Sequence, residues 1–83
     1  MKIVWDEVKR QANLRKHGFD FAGLDVGFFL TAVIRPAKHG RHRAIGRLED
    51  GSVAVIFAYL GREGISVISM RPASLRERRL LDE

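Results

Sequence analysis

The sequence predicts an α+β domain: a small antiparallel sheet in the order β-α-α-β-β-β-β-α, with helices packed on one of its faces. Three observations carry this. Val53 to Leu60 is an apolar run of eight residues rich in β-branched and aromatic types, the composition of a strand covered on both sides. Gly61-Arg62-Glu63-Gly64 then leads into Ile65–Met70, and a four-residue loop with two glycines between apolar runs signals a hairpin. The helical signals lie early and at the end, so strands and helices segregate instead of alternating. With 83 residues the chain makes one domain, residues 1–83, burying about 60–65% of the surface its unfolded form exposes.

Taken in order, Lys2–Trp5 is a short edge strand. Asp6 caps a helix over residues 6–17, which Gly18 ends in the position after the last turn. Trp5, Val8 and Ala12 form its thin apolar stripe, with Lys9, Arg10, Asn13, Arg15, Lys16 and His17 on the other faces. Such a helix lies on a surface. Asp20 caps a second helix whose Phe21, Leu24 and Phe28 fall on one buried face. Leu30–Ile34 reads as a strand ended by Arg35-Pro36, and residues 37–40 as a loop. Residues 41–48 alternate: Arg41, Arg43, Ile45 and Arg47 on one face, His42, Ala44, Gly46 and Leu48 on the other. Asp50-Gly51 marks the hairpin into the strand Val53–Leu60. Ser74 followed by Glu77 is a capping box, so a closing helix runs from Ser74 to about Leu81.

The net charge is +5 and it is clustered. Residues 35–47 hold Arg35, Lys38, Arg41, Arg43 and Arg47 with no acid, whereas residues 19–34 and 48–70 are each net negative. A concentrated basic surface suits a polyanion. There is no cysteine, hence no disulfide framework or thiolate metal site. No stretch is long enough to span a membrane and the start lacks a secretory apolar segment, so the expected location is the cytoplasm.

No HExxH, GxSxG or Gly-rich phosphate loop is present, and the acids are scattered. His39 and His42 lack the carboxylate or thiolate neighbours of a metal site, and no cofactor is expected. What stands out is Arg, Lys and His without acids. RNA is cleaved without metal when its own 2′-hydroxyl attacks the adjacent phosphate. A base, an acid and cations on the phosphate oxygens then suffice. Arginine forks two phosphate oxygens and histidine titrates near neutrality. Arg43, Arg71, His17 and Tyr59 are the residue types required. Each also has a structural reading: His17 and Lys16 as cations at a helix C-terminus, Tyr59 as packing, Arg43 and Arg47 as a solvated sheet face. The functional reading expects guanidinium and imidazole groups to gather at one rim of the sheet, free of carboxylates.

Two stretches resemble a known family. Trp5-Asp6-Glu7-Val8-Lys9, then Asn13-Leu14-Arg15-Lys16-His17-Gly18 and Phe21, resemble the opening of BrnT toxins, small RelE/ParE-like proteins of toxin–antitoxin operons. Val67-Ile68-Ser69-Met70-Arg71-Pro72-Ala73-Ser74 with Arg76-Glu77-Arg78 resembles their close, and Arg43 with Ile45-Gly46 their central strand. The resemblance implies a RelE-like fold, metal-independent RNA cleavage that stops translation, a ribbon-helix-helix antitoxin, and operator DNA bound by the two together. It places Arg71, Arg43, His17 and Lys16 as catalytic candidates. Lys9, Arg41, Arg47, Arg62 and Arg78 are candidates for holding RNA, and Tyr59 and Glu77 for further roles. The chain departs from the pattern at Ser66, at Met70, and in having no tyrosine after Glu77-Arg78. These departures motivate a second reading: a RelE-like module that binds nucleic acid or an antitoxin without cleaving.

Overall fold

The computed structural model describes residues 1–49 and 51–81. Five strands, β1 (Lys2–Trp5), β2 (Val33–Pro36), β3 (His42–Leu48), β4 (Gly51–Leu60) and β5 (Gly64–Pro72), form one sheet in the order β1-β5-β4-β3-β2. Three helices accompany it: α1 (Glu7–His17), α2 (Val26–Thr31) and α3 (Leu75–Leu81). The α+β class and the predicted element order are both present.

Two particulars differ from the sequence reading. The sheet is mixed, because β1 pairs parallel with β5 while the other pairs are antiparallel. The intervening helices carry the chain across the sheet, and a β1 laid beside the last strand runs the same way as it does. The helices also do not share a face. Strand register puts Ala44, Val53, Val55, Phe57, Ile65, Val67 and Met70 on one side, where Phe21, Leu24, Phe28 and Phe29 cover them as the core. Arg43, Ile45, Ala54 and Arg71 point to the other side, and α3 lies there with Glu77 on both arginines. Ile45 and Ala54 have no exposed surface, so β4 is covered on both faces, as its unbroken apolar run demands.

Locally the capping chemistry sets the boundaries. The Asp6 carboxylate accepts the Val8 and Lys9 amides, and Gly18, at φ 76°, returns its N–H to Leu14 O at 2.9 Å. Asp20 caps only a single turn, Phe21–Gly23. Asp25 restarts the helix, accepting the Phe28 amide at 2.8 Å. Leu30 and Thr31 therefore finish α2 instead of opening a strand, and the Thr31 hydroxyl donates back to Gly27 O at 3.2 Å. Strand β2 starts later, at Val33. Ser74 and Glu77 make the predicted capping box, with the Ser74 amide on Glu77 Oε1 at 2.8 Å and the Glu77 amide on Ser74 Oγ at 3.1 Å. β3 and β4 pair from Leu48↔Gly51 onward, although Asp50 of the expected turn lies outside the described residues.

One irregularity decides where the site faces. Ser69 pairs with Ile56 and Val67 with Phe57, which leaves Ile68 as an extra residue in β5. This bulge resets the alternation by one position. Val67 and Met70 both enter the core, and Ser69 and Arg71 both turn to the face that carries Arg43.

Candidate nucleic-acid interface

Arg43 and Arg71 are brought together, diagonally across β4, by the carboxylate of Glu77. Arg71 Nη1 and Nη2 donate to Glu77 Oε1 and Oε2 at 2.7 and 2.9 Å. Arg43 Nη1 lies 3.2 Å from Oε2. Glu77 is 5% exposed. Hydrogen bonds from Arg71, and secondarily from the Ser74 amide, hold its acid constant down at about 2. The same pairing pushes the Arg71 guanidinium further toward its charged form. The expectation of arginines free of carboxylates therefore fails here: the capping box that starts α3 also aims its glutamate at both guanidiniums. The trio keeps one net positive charge, and both arginine side chains remain about a third exposed, at 34 and 35%.

Lys16 and His17 lie elsewhere, in the last turn of α1. With Lys9, Ala12 and Asn13 they face Ile68 and Ser69 of β5 across a shallow groove. Ser69 connects the two groups. Its side chain shares the face of Arg43, and the register row runs Arg43, Ile56, Ser69. Arg43 and Ser69 are two strand spacings apart, about 10 Å. The structure thus lines up Arg43 and Arg71, then Ser69, then Lys16, His17 and Lys9.

Asn13 holds this line in register, and the sequence reading missed it. It is 8% exposed. Its Oδ1 accepts the Met70 amide at 3.0 Å and the Ser69 hydroxyl at 3.4 Å, while Nδ2 donates to Phe19 O at 3.2 Å. β1 ends opposite Val67, so beyond it the edge of β5 needs another partner. α1 supplies one through Asn13. The supposed apolar stripe misled, because Val8 is 76% exposed. The available signal was Asn13 itself, an amide in mid-helix four residues from His17. Arg10, in the same helix, is taken up by Glu7 and Asp20, at 2.6 and 3.0 Å.

The remaining candidates scatter. Arg47 shares the Arg43 face and donates from Nη2 to Leu81 O at 3.1 Å. Arg78 is exposed on α3, and Arg41 precedes β3. Arg62 sits in the β4–β5 turn, at least six residues along β4 from the Ala54 partner of Arg71, about 20 Å. Tyr59 lies on the core-side face, against His42 and Phe57, and is not part of the arginine site. His39 is exposed in the loop before β3. Among the described residues no three His, Asp or Glu side chains gather as a metal set, and no helix is long and apolar enough to cross a membrane.

Comparison with known proteins agrees with this architecture. The family described as "Ribonuclease toxin, BrnT, of type II toxin-antitoxin system" matches residues 5–77. The crystal structure of the Brucella abortus ribonuclease toxin BrnT is 55% identical, covering 89% of this chain and 97% of that one, with a TM-score of 0.83. No curated protein sequence matches. The matched span runs from Trp5 to Glu77, taking in the α1 groove, the bulged β5 and the glutamate between the two arginines, and on that span the chain belongs to the BrnT family of ribonuclease toxins of type II toxin–antitoxin systems.

Proposed function

We propose that this chain cuts RNA without a metal, by in-line attack of a 2′-hydroxyl on the adjacent phosphate. His17 or Lys16 takes the 2′-hydroxyl proton as the P–O bond to the 5′-oxygen breaks, and the leaving oxygen is protonated in turn. Arg43 and Arg71 face the charge that grows on the phosphate oxygens. Lys9, Arg41, Arg47 and Arg78 draw in the backbone, with Arg62 reaching only a distant part of the strand. The observation that carries this reading is the run from Arg43 on the sheet face through Ser69 to the Lys16–His17 groove at the edge of β5, in a BrnT-family chain. Family membership supports the wider role: a cytoplasmic toxin that inhibits translation, held in check by a ribbon-helix-helix antitoxin, the pair together binding operator DNA. The test incubates purified protein with single-stranded RNA in EDTA. Cleavage is expected, and is expected to fall in His17→Ala and Lys16→Ala proteins that keep the wild-type melting temperature. Intact RNA at high protein excess overturns the reading. For the partner, the neighbouring gene is co-expressed and growth scored; growth inhibition that the neighbour does not relieve counts against it.

The ion pairs of Glu77 favour a second reading, a module that binds RNA or antitoxin without cutting. Its signature is salt-sensitive RNA binding with no product in the same EDTA assay.

A further inference from the structure

The far end of β4 carries an aromatic group that the cleavage row does not use. Tyr59 is 52% exposed. Its ring centroid is 4.9 Å from that of His42 and 5.1 Å from that of Phe57, both T-shaped. Phe57 is fully buried and meets Phe29 at 5.3 Å. A chain of rings therefore runs from the core to the surface and holds Tyr59 in place while leaving half of it open.

Cations lie at this end of the sheet, Arg35 and Arg41 on the face opposite Tyr59, because Arg35 stands in register with Arg43 and the continued ladder sets Arg41 against Ala58. The β3–β4 ladder finishes at His42↔Phe57. Continued by two residues, it sets Arg41 across from Ala58 and Gly40 across from Tyr59. The loop that feeds it brings Arg35, Lys38 and Arg41, and none of the three is ion-paired among the described residues. Arg10, Arg43 and Arg71, by contrast, are all paired to acids. No acid occurs between residues 35 and 47. A rigid open ring at the end of a path of unpaired cations suits a single strand that passes from one face to the other: positive charge for its phosphates and a π-face for a base.

We propose that Tyr59, backed by His42, stacks an unpaired base of single-stranded RNA whose backbone crosses this end of the sheet from the arginine face, where Arg35 and Arg41 lie, past the Lys38 turn. The proposal rests on the RNA reading above and adds a subsite to it. From Ala54, opposite Arg71, to Tyr59 is five residues along β4, about 17 Å, and the two lie on opposite faces. A dinucleotide cannot occupy both places, and only a longer strand engages the ring.

The experiment measures binding of uncleavable 2′-O-methyl RNA of about 10 nucleotides, of the same strand made abasic, and of a dinucleotide. The proteins are wild type, Tyr59→Ala and Tyr59→Phe, each checked for an unchanged melting temperature. Tyr59→Ala weakens the long strand by at least about five-fold, Tyr59→Phe does not, and neither changes the dinucleotide. Removing the bases weakens wild type down to the Tyr59→Ala value and weakens Tyr59→Ala little further. Equal losses on intact and abasic strands, or no loss at all, overturn the platform. So does a Tyr59→Ala protein that binds RNA normally but fails to hold the antitoxin, which assigns the ring to that partner. If wild type binds no long strand, the RNA reading itself falls; if wild type binds and Tyr59→Ala matches it, only the platform falls.

Discussion

Replacing Glu77 by glutamine tests whether the arginine–glutamate clasp anchors the closing helix. Glutamine keeps the shape but loses the charge, and turns an amide N–H₂ toward guanidinium donors. Glu77 accepts from both Arg71 nitrogens and from the Ser74 amide, and pairs with Arg43. Breaking a buried ion pair by removing one partner costs about 3–5 kcal/mol. The arginines here are about a third exposed and regain water, so about 2–3 kcal/mol is the expected loss. An 83-residue domain holds about 4–12 kcal/mol in all. At about 4–8 °C per kcal/mol, Glu77→Gln should melt about 10–20 °C below wild type at pH 7. The pH dependence supplies a second reading of the same quantity. Glu77 falls from an ordinary 4.5 to about 2 in the folded protein. A lowered carboxylate contributes fully above pH 4.5 and loses its contribution as pH falls toward 2. The gap between the two proteins should therefore be widest above pH 4.5 and close toward pH 2. Glu7 and Asp20 are also lowered, but they titrate in both proteins and cancel in the difference. A gap under about 3 °C at pH 7, or one that does not narrow with acid, refutes the clasp as an anchor.

Four further outcomes follow from the geometry. Asn13→Leu strands the Met70 amide at the edge of β5 and should cost about 1–3 kcal/mol, read by denaturation and by faster hydrogen exchange at Met70. Asn13→Asp keeps that acceptor and should be milder in stability while depressing RNA cleavage, because a carboxylate then faces Lys16 and His17. A Cβ at Gly46 falls 2.7 Å from the Phe28 ring, so Gly46→Ala should cost about 1–3 kcal/mol, partly recovered in the Gly46→Ala, Phe28→Leu double variant. RNA affinity should fall with salt at a slope near −3 in log–log form if about four phosphates are neutralised; a flat salt dependence removes the electrostatic premise.

The strand and helix content was legible because local chemistry and tertiary need agree along most of the chain. The unbroken run at Val53 said that β4 is covered on both sides, and the capping box at Ser74 placed α3. What stayed hidden was set by single residues acting at a distance. Asp25 restarts a helix that Asp20 seemed to own. Asn13, on a helix with almost no apolar stripe, docks α1 by hydrogen bonds instead of by hydrophobic contact, and periodicity cannot register that. The candidate residues could be picked out by type, but their partners could not. Arg43 and Arg71 do meet, but Glu77, six residues beyond Arg71, meets them as well. The capping-box spacing and the family resemblance both singled it out, but neither showed that it would pair with the two arginines.

The bulge at Ile68 and the glutamate together define how an anion approaches. Without the extra residue Arg71 would turn into the core face, and no phosphate could reach it. With it, Arg71 joins Arg43, but its donors are already in use. Of five N–H groups on a guanidinium, Arg71 gives Nη1 to Glu77 and to Pro72 O, and Nη2 to Glu77. The forked edge is closed to substrate, and the Nε side is what remains to be offered. Arg43 has its own Nε enclosed without a partner among the described residues, so it offers its outer nitrogens. On the RNA reading proposed above, a phosphate on this face meets the flanks of two fixed guanidiniums, and further positive charge lies along the row, at Lys16 and Lys9. On that geometry Glu77 does opposite things at once: it removes one charge from the attraction, and it holds both arginines in the orientation in which the remaining charge is useful.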